Sequence, residues 1–501
     1  MTSPGTPHRL AHVATRRQIA WATALAALSF AIPTTHAADF AEILRLSGVE
    51  PEATLAIDWN RLANVDVDAT EPLEKFVYRL GNVEPDDFLS AEVKDLQTVQ
   101  WGALVRLRGT LRSVVELPAL HDDQPRPDLP RVYYRCEVEC PSGVVVVLSS
   151  QLPRSWRERA DRDSMNEPVR IDGAVLKPAV PTAPACIACV RIAWFPREGV
   201  NSGVAWFAAR GMDATLWDEV RQNQRLLDQR YSDESDAFYS CLAIAAHSTA
   251  SDSIAAARQS ITDSRDAWQK SERQARESLA QLEGAPVAQP GERGADNRIE
   301  TIARARRKAA ILAAGRRIAE EGRTSYAPLW EFPEEHAGEW TLFEGVARRA
   351  VRIEIPEGAK RRSAAIVDGL TSTSALPDAY YELDVFPADS QNMPVVCCVT
   401  SLPAGFPEGE TIREQVRIAG VFFKMWRYSG RELSPGSDSL RRRAPLIIGA
   451  GPVPLAVRSP ATSRWGAYGG AAFLLLLAIV WMVAARNARR DRLARRSFSV
   501  R

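Results

Sequence analysis

Four cysteines hold most of the chemistry this sequence could offer: Cys136, Cys140, Cys186 and Cys189. Cys186-x-x-Cys189 has the spacing of a redox dithiol and of one half of a tetrahedral zinc site, with Cys136 and Cys140 as the other half. The setting argues against both uses. Residues 185–195, ACIACVRIAWF, are almost wholly apolar and read as a strand, where side chains three apart point to opposite faces. A structural disulfide somewhere in this region is the simpler expectation, with its pairing left open. The chain has seven cysteines, an odd number, the others being Cys241, Cys397 and Cys398.

Other routes to catalysis are thinner. Past the first forty residues the histidines are His121, His247 and His336, and none has a His or acidic neighbour at ligand spacing. There is no G-x-S-x-G nucleophile turn and no glycine loop to cradle a phosphate. Asp86-Asp87 and Asp122-Asp123 read as solvating loop residues. The sequence therefore nominates no catalytic residue, no cofactor site and no metal site beyond the four cysteines. With 63 basic against 62 acidic residues the net charge is +1, which excludes a global field for nucleic acid.

The elements that would hold these residues are strands. Residues 104–117, LVRLRGTLRSVVEL, alternate apolar and polar positions, with Gly109 as a bend. Val132–Val138, Val144–Leu148, Val169–Leu176 and Cys186–Trp194 follow, with turn residues between them. The same order returns after residue 338. Gly345 and Arg348 match Gly109 and Arg112, Tyr380-Tyr381 match Tyr133-Tyr134, and Val395–Val399 match Val144–Leu148. Leu402-Pro403 match Leu152-Pro153, and Val416-Arg417-Ile418-x-Gly420-x-x-x-Lys424 matches Val169-Arg170-Ile171-x-Gly173-x-x-x-Lys177. The first tyrosine lies 40 residues before the shared glycine in both copies, which indicates an internal duplication.

The early V-x-L-x-G-x-L-R strand (Val105, Leu107, Gly109, Leu111, Arg112) and the late V-R-I-x-G strand resemble those of the OB-fold, a five-stranded Greek-key barrel, over roughly 100–195 and 340–455. The resemblance implies two small antiparallel barrels and brings no catalytic motif. OB barrels bind nucleic acid on aromatic platforms and basic grooves, which would here be Tyr133, Tyr134, Arg112, Arg135 and Arg170. The alternative is that the tyrosines pack and the arginines solvate the surface. The second copy favours that alternative, because Glu382 stands where Arg135 does.

The expected architecture is α+β. Residues 1–37 read as a secretory signal, with Arg16 and Arg17 before a short apolar run and cleavage after Ala37. Residues 38–98 read as a mostly helical piece, 99–200 as barrel 1 and 337–455 as barrel 2. Between them, 201–336 reads as a helical insert: residues 211–245 with Ser235 as an N-cap, then a helix over Ser251–Leu282, a linker over 284–297, and a basic helix over Asn297–Glu321. Arg441, Arg442 and Arg443 fall in a loop before a last strand, Pro445–Ile448, and 456–465 forms a stalk. Gly466–Ala485 is uncharged and long enough to span a bilayer, and the arginine-rich residues 486–501 should stay in the cytoplasm. Gly466 and Gly470 share one helix face, so a homodimer through the span is possible. These features lead to the expectation of a single-pass protein of the cytoplasmic membrane with its large domain outside. Its role would be non-enzymatic binding or scaffolding with an envelope protein partner. An oligonucleotide- or oligosaccharide-binding module and a redox or metal protein built on the cysteine pair are the alternatives.

Overall fold

A computed structural model of the chain describes residues 40–55, 71–117, 132–157, 159, 164–225, 233–284, 295–370, 376–428, 442–455 and 464–498. The expected signal segment, His121, Asp122-Asp123, and most of the 284–297 linker and of the stalk lie outside them. All structural statements below concern the described residues.

Helices α1 (Phe40–Leu46) and α2 (Glu71–Leu80) come first among the described residues. Glu71 and Glu74 sit in the first turn of α2 and Arg79 in its last, each favourable to the helix dipole. Leu73, Phe76, Val77 and Leu80 follow helical spacing and are all buried. They lie against the outer face of a closed barrel formed by β1 (Leu104–Glu116), β2 (Tyr134–Cys140), β3 (Gly143–Gln151), β4 (Glu167–Lys177) and β5 (Cys186–Trp194), in the order β1-β2-β3-β5-β4. Leu107, Leu111, Val138, Val147 and Ile171 fill its interior.

The barrel is mixed, not antiparallel as the sequence suggested. β3 and β5 run parallel, with Val146 opposite Cys186, while the other four pairings are antiparallel. The reason is parity: an odd number of strands cannot close a ring with every neighbour reversed.

The second copy departs further. β6 (Trp340–Glu354), β7 (Ala379–Pro387), β8 (Val395–Val399), β9 (Glu414–Tyr428), β10 (Arg442–Gly449) and β11 (Pro452–Pro454) form a six-stranded sheet in the order β10-β8-β7-β6-β9-β11. β10 also pairs with β9, so the sheet is ring-like, with β11 as an added edge on β9 rather than a plain second barrel. Arg442 and Arg443 belong to β10 and not to a preceding loop.

The duplication extends to the register. Gly109 is opposite Val169 and Val105 opposite Gly173 in the barrel; Gly345 is opposite Val416 and Thr341 opposite Gly420 in the sheet. The register shift between Leu111 and Ser113 recurs between Ala347 and Arg349. One sequence match slips by a residue. Tyr134 is opposite Ser149 and Tyr381 opposite Val399, so Val395–Val399 corresponds to 145–149 and not to Val144–Leu148. A valine run offers no local mark of register; cross-strand pairing sets it.

The shared glycines mark close approach between strands. A Cβ on Gly173 would stand 2.4 Å from the Ala188 carbonyl oxygen, and one on Gly420 2.6 Å from that of Ile448. Gly109 and Gly345 would each meet a neighbouring carbonyl oxygen at 2.5 Å.

Each sheet has a helical cover on its outer face. For the second sheet this is α3 (Asp233–Ala246) and α4 (Ala250–Asp263), whose Phe238, Cys241, Leu242 and Ile261 pack with Tyr380, Cys398, Val421 and Phe423. Helix α3 starts at Asp233, so Ser235 lies in its first turn and is not an N-cap. Thr249 and Asp252 form a capping box on α4. The helix expected over Ser251–Leu282 is broken at Ser264. α4 stays on the sheet, and α5 (Arg265–Gly284) leaves it to pair with α6 (Ala295–Glu320) in a hairpin. α6 does not segregate apolar from polar residues, and ion pairs help hold the hairpin: Arg316 with Glu272 at 2.6 Å and Arg306 with Glu283 at 2.7 Å. Helix α7 (Glu357–Ile366) lies between the two sheets.

Helix α8 (Arg464–Phe498) ends the described chain. Its segment Gly470–Arg490 is long and apolar enough to cross a membrane and is not buried against the rest of the protein. The arginines from Arg486 onward continue the same helix.

Candidate functional site

The four cysteines do not assemble into a site. Cys136, Cys140 and Cys189 face the barrel interior, while Cys186 faces outward beneath α1 and α2. All seven cysteines are buried free thiols, so the expected disulfide is not formed. Burial pushes the Cys140 thiol up to about 11 and the Cys189 thiol to about 12, with Ser149 donating a partly offsetting hydrogen bond to Cys189. Cys186 is raised further, again by burial. No group of three or more His, Cys, Asp or Glu side chains is arranged to hold a metal ion. Leu446 and Gly449 occupy the positions of Cys186 and Cys189 in the second sheet.

The aromatic and basic residues considered for nucleic acid are mostly occupied elsewhere. Tyr133 is fully buried beneath the N-terminal helices, and Tyr134 points into the barrel. Arg112 pairs with Glu139 at 2.6 Å and Arg135 with Glu137 at 2.8 Å. Arg170 is no surface residue: its side chain is 3% exposed. It donates to Asp368 Oδ1 at 2.7 Å, to the Ile366 carbonyl at 2.9 Å and to Asp172 at 3.2 Å. Arg106 chelates Asp172 at 2.6 and 2.9 Å and donates to the Ala365 carbonyl at 3.1 Å. Two barrel arginines thus cap the C-terminal end of α7, where helix carbonyls lack partners. Arg362, earlier on α7, chelates Asp236 of α3 at 3.0 and 2.7 Å and reaches Glu84 at 2.6 Å. The network joins the two sheets into one body. The cavity beside it is small, about 180 Å³, and its charged walls are already paired.

The larger cavity, about 490 Å³, lies between the α5–α6 hairpin and the segment 335–339 that leads into β6. Ser271, Gln274 and Ser278 line it from α5, and Ser264 from the break before that helix. Ala305, Lys308 and Leu312, spaced three and four apart on α6, form a second wall. The floor is His336 with Glu335 and Glu339. His336 stacks on Trp268, ring centroids 5.4 Å apart and planes 12° from parallel. Its Nδ1 lies 2.7 Å from Glu339 Oε2, and its side chain is 10% exposed. Its Nε2 is buried with no hydrogen-bond partner. The short helix Pro333–His336 ends at this residue, and Gly338, at φ +82°, reverses the chain so that Glu339 folds back onto the ring. The acidic partner that sequence spacing did not offer His336 is therefore supplied by a turn. Nothing in the sequence marks Trp268 as the stacking partner of His336.

A second cavity of about 250 Å³ adjoins the first, and Ser264, Trp268 and Glu339 border both. Gly315 makes room for Trp268 between the helices: a Cβ there would come within 3.0 Å of the indole.

The fold and site define an α+β protein with a closed five-stranded mixed barrel, a ring-like second sheet, a helical hairpin over a polar groove, and one exposed apolar helix. No protein family, no curated protein and no solved structure matches the chain.

Proposed function

We propose that this chain is a single-pass, membrane-anchored binding or scaffold protein of the cell envelope, without catalytic activity of its own. The observation that carries the proposal is helix α8. Its apolar side chains from Phe473 to Val483 are 51–76% exposed, a surface that the rest of the body leaves uncovered. A run of this length and composition suits hydrocarbon, and the arginines that follow suit the cytoplasmic side. The body, with its groove, would then stand outside the cytoplasm and meet an envelope protein. The barrel's strand order resembles an OB-fold, and an oligosaccharide-binding role is compatible with that. A nucleic-acid role is disfavoured by the burial of Tyr133, Tyr134 and Arg170.

Protease shaving of sealed native membranes, followed by crosslinked pull-down of the intact protein, tests this. Digestion of the body only from outside, with a reproducible envelope protein in the crosslinked product, supports the proposal. A body protected on the cytoplasmic side overturns it.

A further inference from the structure

We propose that the groove under the α5–α6 hairpin is a binding site for a neutral saccharide. This goes beyond the anchor-and-scaffold reading and does not depend on the side of the membrane the body occupies.

The first argument is His336. A ring nitrogen buried without a hydrogen bond carries a desolvation cost, and native proteins rarely leave one so. A ligand hydroxyl suits Nε2 in either role, donating to its lone pair in the neutral ring that donates Nδ1–H to Glu339, or accepting from Nε2–H in the imidazolium. The stack on Trp268 fixes the ring plane, so Nε2 is held in place before a ligand arrives.

The second argument is the composition of the walls. Ser271 and Ser278 lie seven residues apart on α5, with Ser264 at the break before it, and their hydroxyls both donate and accept. Gln274 adds an amide that also does both. Saccharide hydroxyls have the same dual character. Ala267, Ala275 and Leu312 supply the apolar contact that the C–H face of a sugar ring needs.

The third argument is charge. Lys308 lies 3.6 Å from Glu335, and Glu339 adds a further carboxylate, so the groove has no surplus cation to hold an anion. Carboxylates accept well from hydroxyl groups. A volume of about 490 Å³ falls within the common range of small-molecule sites.

The test uses the full chain in a detergent without a sugar headgroup. It is titrated calorimetrically with neutral disaccharides: diacetylchitobiose, cellobiose, maltose and trehalose. At least one should bind saturably. His336→Phe keeps the stack on Trp268 but removes both nitrogens, and should weaken that binding at least tenfold. Ser271→Leu starts from an exposed position, spares the core and narrows the groove, and should weaken it similarly. Arg352→Ala, near the end of β6 and outside the groove lining, should leave Kd within twofold. Failure of all four sugars, or equal binding by wild type and both groove variants, overturns the proposal. Binding of an acidic sugar or a peptide in place of the neutral ones overturns it as well. None of these outcomes bears on the shaving and crosslinking result.

Discussion

Lys424 and Glu234 form an ion pair from which solvent is wholly excluded, both side chains being 0% exposed. Lys424 ends the repeated V-R-I-x-G-x-x-x-K motif, and its counterpart Lys177 is partly exposed. The difference lies in what covers each sheet. Helix α3 brings Glu234 over Lys424, whose ammonium also donates to the Arg225 carbonyl at 3.4 Å. Burial lowers the Lys424 ammonium below its ordinary range, and the Glu234 carboxylate opposes that shift. Glu234→Ala should cost about 3–5 kcal/mol because it strands a buried charge, whereas the double variant Glu234→Leu/Lys424→Met should cost far less or nothing. Urea unfolding of both variants measures the contrast; an equal loss in the two would show that the pair is not what the single variant destroys.

The glycines of the duplicated motif predict a matched pair of effects. Gly173→Ala and Gly420→Ala each push a methyl into a backbone carbonyl that only a strand shift can relieve. Each should destabilise by about 1–3 kcal/mol. Gly284→Ala, where a Cβ meets nothing within 4 Å, should change stability by less than about 1 kcal/mol. Thermal unfolding of the three variants side by side would show it.

That pair also shows how the sequence could be read. Equal spacing between Tyr133 and Gly173 and between Tyr380 and Gly420 revealed the duplication, because those residues are held by strand geometry common to both copies. Parallel pairing of β3 with β5 was not legible: a strand's own alternation is the same whichever way its neighbour runs. Nor was the sheet-joining network. Arg106, Arg170 and Asp172 lie in β1 and β4, while the groups they hold, the Ala365 and Ile366 carbonyls and Asp368, lie almost two hundred residues or more further on. Polar residues on a strand read as solvent-facing until the partner is known. His336 and Glu339 were close in sequence yet did not register as a pair, because a turn through Gly338 brings them together.

The Arg170 cluster predicts strong dependence on one guanidinium. Arg170→Met preserves much of the side-chain volume but leaves Asp368 and the Ile366 carbonyl without that donor. The loss should be about 3–5 kcal/mol. Arg112→Met, at an exposed pair with Glu139, should cost no more than about 1 kcal/mol. Differential scanning calorimetry of the two variants would separate the cases, and similar losses would contradict the buried assignment of Arg170.

Asp384 gives a pH dependence. Arg349 faces Glu382, Asp384 and Glu410, three carboxylates around one guanidinium. Burial first, then the charges of Glu382 and Glu410, push the Asp384 carboxyl from 3.8 up to about 6, with Arg349 opposing. The folded state therefore holds this proton more tightly than the unfolded chain does. The resulting stabilisation is fully present below about pH 3.8 and is lost as pH rises through about 6. Asp384→Asn should remove that dependence, leaving the variant more stable than wild type at pH 8 by on the order of 2–3 kcal/mol relative to their difference at pH 4. Unfolding free energies of the two proteins across this range test it, and parallel pH profiles would refute it.

The thiols decide between a structural and a redox use of Cys186 and Cys189. A thiol must ionise and be reached before it can attack a disulfide or bind a metal. Cys189 fails on both counts: it lies inside the barrel, and at about 12 its ionisation leaves a thiolate fraction of about one in ten thousand at pH 8. Cys186 is on the opposite face of β5, sealed by α1 and α2, so the two sulfurs cannot meet without β5 leaving the barrel. The native protein should therefore react with an aromatic disulfide reagent at no cysteine on a timescale of minutes, and at all seven once unfolded in denaturant under argon. Cys186→Ser and Cys189→Ser should each lower stability without altering binding in the groove, since neither touches it. Rapid native labelling of this pair, with loss of both signals on mild oxidation, would return the dithiol to the centre of the protein's chemistry.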